Sequence, residues 1–109
     1  MTVKKVFLGN EEVAEVSEEF VSCNILSTRV ATTGPKGGDS GHGCRTYIQF
    51  EDCASTDMSV SFVDDNNKLH EIPHVKSVKI NFGGDTELNT LADSFLFLSK
   101  QLGKYSSSK

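Results

Sequence analysis

The chain has 109 residues, a mass of 11.9 kDa, a net charge of -4 and a pI near 5.3. This length predicts one domain, residues 1–109, and excludes an enzyme built from two lobes. The acidic balance excludes a broad basic surface, so duplex nucleic acid is not an expected partner. No apolar run approaches the roughly 18 to 20 residues that cross a bilayer. We therefore expect no membrane partner, and a soluble protein of the cytoplasm, which is the host cytoplasm if the chain is viral.

The three cysteines are odd in number and widely spaced, which argues against the disulfide framework of a secreted miniprotein. No CxxC pair brings two metal ligands together locally, so we predict neither a metal nor another cofactor. A zinc site made from distant residues is the less favoured alternative. The simpler interpretation is that Cys23 and Cys53 are small core residues near strands.

The first third of the chain is rich in strand signals. Residues 3–8 form a short apolar run closed by Gly9-Asn10, which predicts a strand. Residues 11–19 suit either one helical face or the second strand of a hairpin, and we favour the hairpin. The high β-branched content of residues 20–32 predicts one long strand.

Beyond the glycines of residues 33–44, apolar and polar residues alternate in three further segments. These predict strands at residues 45–50, 58–63 and 78–82. Turns are predicted at 55–57 and 64–67, and Pro73 marks residues 69–75 as an edge or a loop.

The C-terminal segment carries the strongest helical pattern. Apolar residues recur every three or four positions, which predicts a helix over about 86–102, capped by Asp85 or Thr86 and followed by a frayed tail at 104–109. Leu96 and Phe97 lie outside this stripe. Either a second subunit or a sheet that curls around the helix would bury them.

These elements predict an α+β fold, an antiparallel β-sheet of four to six strands with one C-terminal helix packed on it. The absence of βαβ alternation excludes a dinucleotide fold of the Rossmann type.

Five of the nine glycines fall within residues 34–43, and Gly-Gly-Asp occurs there and again at residues 83–85. Chance or turn chemistry explains the repetition equally well, but the alternative is that the two copies meet in space. Unpaired backbone N–H groups of the loop and of the first helical turn would then face one anionic ligand. Neighbouring side chains would add charge, hydroxyls, an imidazole and a stacking surface. The candidate ligand-binding residues are Lys36, Gly37, Gly38, Asp39, Ser40, Gly41, His42, Gly43, Arg45, Thr46, Tyr47, Gly83, Gly84, Asp85 and Thr86.

Interpretations of this loop as a known catalytic or phosphate-binding motif fit the sequence less well. Residues 38–41 are similar to the nucleophile loop of trypsin-like proteases, but the chain is too short and every histidine follows Ser40. A phosphate-binding P-loop would end in Gly-Lys-Ser/Thr and lead into a helix, which this loop does not. General acid-base work by His42 on a phosphodiester remains an alternative to a binding contact. We name no catalytic residue.

The string Gly37-Gly-Asp-Ser-Gly-His-Gly-Cys-Arg-Thr46, followed by strands and by a second Gly-Gly-Asp before an apolar helix, resembles small uncharacterised bacteriophage proteins. The resemblance covers roughly residues 33–103. It implies a viral origin, and small phage proteins of this size resemble counter-defence factors, which take up nucleotide immune signals or block a host protein.

We therefore predict a homo-oligomer that binds and sequesters a small phosphate-bearing nucleotide signal, such as a cyclic nucleotide or an ADP-ribose derivative. The first alternative is an inhibitor directed at a host defence nuclease or sensor. The second is a small phosphodiesterase that uses His42.

Overall fold

A computed structural model describes residues 1–39 and 41–106. The chain forms seven strands and one helix. They are β1 (Thr2–Leu8), β2 (Glu11–Val21), β3 (Ile25–Thr32), β4 (Arg45–Ala54), β5 (Val60–Val63), β6 (Leu69–Ile72), β7 (Ser77–Gly83) and α1 (Asp85–Gly103).

Five strands form one antiparallel sheet in the order β1-β2-β3-β4-β7, and β5 and β6 form a separate two-stranded hairpin. Together with the single C-terminal helix, this architecture confirms the predicted α+β fold. Because β7 pairs with β4 and not with β6, the end of β7 lies beside the start of β4, where Gly83 is opposite Arg45.

The predicted hairpin of residues 3–19 is confirmed, since β1 pairs with β2 across a turn at Gly9, whose φ is +63°. The single long strand predicted for residues 20–32 is wrong. The Ser22 N–H donates to the Asn24 carbonyl (2.8 Å), and this turn divides the segment between β2 and β3. Serine and asparagine are turn-forming residues, and the β-branched residues around them masked that signal.

The β5–β6 hairpin ends before Pro73, as expected of a residue that cannot donate to a ladder. Its turn is held by Asp64, whose carboxylate accepts the N–H groups of Asn66 (2.9 Å) and Lys68 (3.0 Å). The same carboxylate contacts the His70 imidazole (2.9 Å), which stacks on Phe62.

Helix α1 is confirmed, but its predicted cap is not. Gly84 precedes the helix, and neither Asp85 nor Thr86 caps it with its side chain. No side chain of the helix, whose residues are all described, is buried. The sheet therefore does not curl around α1. Within residues 1–39 and 41–106, no helix is long and apolar enough to span a bilayer.

The buried core is small. It comprises Val13, Ala31, Cys44, Tyr47 and Ile48, with three polar residues, Glu15, Ser27 and Thr46. Strand register places the buried cluster of Val13, Ala31 and Tyr47 on one face of the sheet, because alternate residues point to opposite sides. The other face carries an apolar row, formed by Val3, Val16, Val30, Ile48 and Ile80. Helix α1 crosses this apolar face, where its Phe95 lines a cleft with Val30 and Ile48.

Candidate functional site

The two Gly-Gly-Asp segments meet at the end of the sheet where β4 begins and β7 ends. Three backbone hydrogen bonds join the glycine loop, residues 33–44, to residues 83–85: the Asp85 N–H donates to the Gly38 carbonyl (2.7 Å), the Gly41 N–H to the Gly83 carbonyl (2.8 Å) and the Gly84 N–H to the Cys44 carbonyl (2.7 Å). The glycine loop and the start of α1 therefore form one hydrogen-bonded unit.

The Asp85 carboxylate lies inside the loop. Its oxygens accept the backbone N–H groups of Lys36 (2.9 Å), Gly37 (2.7 Å) and Cys44 (3.0 Å). These bonds, that from Lys36 first, hold the pKa of Asp85 below its ordinary value, since they stabilise the charged form. The chain thus supplies its own anion to the amides that were expected to receive a ligand.

Asp39 provides the helix cap that was expected from Asp85 or Thr86. Its carboxylate accepts the Thr86 N–H (2.7 Å), one of the amides that have no partner within the helix. A negative charge at this end also complements the helix dipole. Both carboxylates have a structural role, because each accepts backbone N–H groups of the other segment.

Two glycines make the close approach possible. Gly43 has φ +81°, and a Cβ there would lie 2.4 Å from the Gly38 carbonyl oxygen and 2.6 Å from the Gly38 nitrogen. A Cβ on Gly83 would lie 2.7 Å from Nη1 of Arg45 and 3.3 Å from the Gly41 Cα. A side chain at Gly43 would collide with the backbone of the loop itself, whereas one at Gly83 would displace the flexible Arg45 guanidinium and press on Gly41.

A polar cluster closes the base of the loop. The Thr32 hydroxyl bonds the Thr46 hydroxyl (2.8 Å) and the Cys44 thiol (3.2 Å), and Thr46 also contacts that thiol (3.2 Å). Burial would raise the pKa of the Cys44 thiol, but bonds from Thr32, Thr46 and Thr33 hold it below its ordinary value. Thr46 is buried and fully engaged, so its hydroxyl is not offered to a ligand, contrary to expectation.

Tyr47 is likewise not a stacking surface. It is buried, its hydroxyl donates to the Glu15 carboxylate, and the Lys79 ammonium lies 4.2 Å from its ring centroid. Burial, together with the hydrogen bond and charge of Glu15, raises the pKa of Tyr47 to about 12. The residue belongs to the small core, because its position in β4 points to the face that also carries Glu15 and Ala31.

Besides Asp39, four predicted site residues have exposed side chains, namely Lys36, His42, Arg45 and Thr86. Lys36 pairs with Glu11 of β2, its ammonium 3.0 Å from the carboxylate, an interaction that the sequence did not indicate. His42 and Arg45 are exposed, and among the described residues neither forms an ion pair. Ser40, also predicted, lies outside the described residues.

The remaining predicted residues contribute backbone. Gly37 and Gly41 are exposed, Gly38, Gly43 and Gly83 are half-buried, and Gly84 is buried. Five clefts of about 400 to 740 Å³ on the described surface are lined by residues outside both segments. None of these five clefts is formed by the glycine loop or by the start of α1.

The cysteines are distributed differently from the prediction. Cys44 is buried, whereas Cys23 and Cys53, expected in the core, are exposed. In the part of the chain that the structure describes, no group of three histidine, cysteine or acidic residues is arranged to hold a metal ion.

The fold and site define a small α+β protein whose glycine loop is locked to the start of its C-terminal helix. No family model, no curated protein and no solved structure matches the chain.

Proposed function

We propose that this protein binds and sequesters a small phosphate-bearing nucleotide, such as a cyclic nucleotide or an ADP-ribose derivative. The observation that carries the proposal is the position of the Arg45 guanidinium. It has no ion-pair partner among the described residues, and it lies beside Gly83, where backbone hydrogen bonds join the glycine loop to the start of α1. The resemblance of this loop to small phage proteins supports a counter-defence role in the cytoplasm of a host cell.

The chemistry of Arg45 favours phosphate. A guanidinium presents a planar fork of donors that matches two phosphate oxygens, and it stays charged at every physiological pH. Its place over Gly83 is possible only because that residue lacks a side chain. The group is thus held where an approaching anion meets it without competition from a bound carboxylate.

Neighbouring charges also favour an anion. The nearby carboxylates of Asp39 and Asp85 are directed onto backbone amides, which offset their negative charge. His42 lies in the same loop as a second exposed donor, and the Lys36 ammonium exchanges Glu11 for a phosphate at little cost, because exposed ion pairs contribute little. We therefore assign recognition to the side chains of Lys36, His42 and Arg45.

Thermal melting with a panel of cyclic dinucleotides, ADP-ribose derivatives and inorganic phosphate tests the proposal. A ligand present at about 100 times its Kd stabilises the folded state by roughly 2.7 kcal/mol, which raises Tm by several degrees or more. Arg45→Gln should abolish the rise. The matched control Lys68→Gln removes one positive charge from the β5–β6 turn and should leave the rise intact.

Chromatography of the ligand after incubation separates the alternatives. Recovery of intact nucleotide supports sequestration, whereas conversion that is lost in His42→Ala identifies a phosphodiesterase. If no nucleotide raises Tm and a host polypeptide co-purifies without any small molecule, the proposal fails and an inhibitor directed at a protein replaces it.

A further inference from the structure

An open apolar groove runs between α1 and the apolar face of the sheet. It holds about 430 Å³ and is lined by Phe95 from the helix and, from the sheet, by Phe20, Thr28, Arg29, Val30, Ile48 and Phe50. A second cleft continues it past Phe20 toward Leu26 and Tyr105. We call the two together the apolar groove.

Three side chains of the apolar groove are exposed to a degree unusual for large hydrophobic residues. Phe20 is 53 % exposed, Val30 41 % and Phe95 36 %, while Leu102 on the same helical stripe is 67 % exposed. The helix stripe and the sheet face thus lie opposite each other without closing. Contiguous apolar surface of this kind marks a site of protein association.

The solvent-accessible area of the chain is larger than that expected for a compact monomer. The chain exposes 7868 Å², whereas a compact monomer of 11.9 kDa exposes about 6,000 Å². An excess of roughly 1,500 to 2,000 Å² per chain is what each subunit contributes to an obligate dimer interface. The radius of gyration, 15.4 Å, also exceeds the value of about 13 Å expected for a compact domain of this length.

We infer that a second copy of this chain occupies the apolar groove. The five buried apolar residues form too small a core for a stable monomer, so the partner must be present whenever the chain folds, and a second copy always is. The adjoining helix segment, residues 94–99, reads Ser-Phe-Leu-Phe-Leu-Ser and carries no charge. This apolar segment can pack against its own copy across a two-fold axis, as an isologous interface requires, and Arg29, the charged residue that lines the first cleft, is already paired with Glu51 (2.7 Å).

The oligomeric state tests this inference without any substitution. Light scattering after gel filtration should give a mass of about twice 11.9 kDa or a higher multiple. The urea midpoint of unfolding should rise as protein concentration is raised, because subunit association and folding are coupled. A mass of 11.9 kDa with a midpoint independent of concentration would overturn the inference.

A matched pair of variants tests which surface is used. Phe20→Lys places a charge in the apolar groove and should raise the dissociation constant at least about tenfold, since each of two copies loses a buried aromatic side chain. Phe62→Lys makes the same change at a comparably exposed phenylalanine, 48 %, on the β5–β6 hairpin and should leave association unchanged. Equal effects of the two variants would exclude the apolar groove as the interface. Should Phe20→Lys lose its circular dichroism spectrum, Phe20→Ala and Phe62→Ala give the same comparison.

Discussion

Asp39 and Asp85, which lie 46 positions apart in the chain, form reciprocal hydrogen bonds, because the carboxylate of each accepts backbone N–H groups of the other residue's segment. Asp85, at the start of α1, accepts amides of the glycine loop, and Asp39, within that loop, accepts the Thr86 amide of α1. Each acid accepts N–H groups that the other segment leaves unpaired. These reciprocal bonds give a role to the acid at the third position of both Gly-Gly-Asp copies. They also make the geometry of the loop depend on the helix.

Asp85→Asn should loosen the glycine loop. The neutral amide is a weaker acceptor than a carboxylate, so the N–H groups of Lys36 and Gly37 lose charge-assisted bonds. We expect hydrogen exchange of these two amides to accelerate by about tenfold or more. Asp93→Asn, at an exposed position of α1, is the control, and equal exchange in the two variants would argue against the bracing role of Asp85.

Gly43→Ala should destabilise the fold far more than Gly34→Ala. Both glycines have positive φ, +81° and +75°, but only the Cβ at Gly43 would collide with backbone, whereas nothing lies within 4 Å of a Cβ at Gly34. The shared backbone strain costs about 1 to 2 kcal/mol, and the collision brings the cost at Gly43 to about 3 kcal/mol or more. Urea denaturation of the two variants measures the difference, and equal losses would contradict the close packing of Gly38 and Gly43.

The stability of the loop should decline in acid. The folded pKa of Asp85 lies below its unfolded value, so its contribution is present above about pH 4 and is lost as pH falls through the folded pKa. The Lys36 and Gly37 amides should therefore lose part of their exchange protection in this range, after correction for intrinsic rates. In Asp85→Asn this part of the pH dependence should vanish, and its persistence would assign the effect to another group.

Tyr47 should ionise only in strong alkali. The chain has two tyrosines, so Tyr105→Phe leaves Tyr47 alone to report tyrosinate absorbance, with a midpoint of about 12. Because the neutral phenol is favoured in the folded state, its contribution to stability is present below about pH 10 and declines as pH rises toward the folded pKa. Adding Glu15→Gln should lower the midpoint, since the adjacent negative charge is removed. An unchanged midpoint would show that Glu15 does not contribute.

The three thiols should differ in reactivity. A thiol reagent should modify Cys23 and Cys53 rapidly in the native protein, because both are exposed, and should reach the buried Cys44 only after unfolding in urea. Peptide mapping of the modified sites distinguishes them. Rapid native labelling of Cys44 would contradict the closed threonine cluster around it.

The repeating patterns of the chain predicted most of its elements. Alternation located the strands after the loop and helical spacing located α1, because these patterns reflect local backbone geometry. The turn at Ser22–Asn24 was missed because short turns carry weak signals inside β-branched sequence. The meeting of the two Gly-Gly-Asp segments was one hypothesis of two, since topology alone brings the end of β7 beside the start of β4.

The sequence by itself determined the fold class, the helix and the loop that carries Lys36 and His42, because these depend on local periodicity and on the flexibility of glycine. Only the tertiary structure decided which groups remain accessible. The backbone N–H groups that we expected to bind a ligand donate instead to the carboxylates of Asp39 and Asp85. Strand register buries Thr46 and Tyr47. Hydrogen-bond partners distant in the chain are set by strand pairing, which no local pattern records.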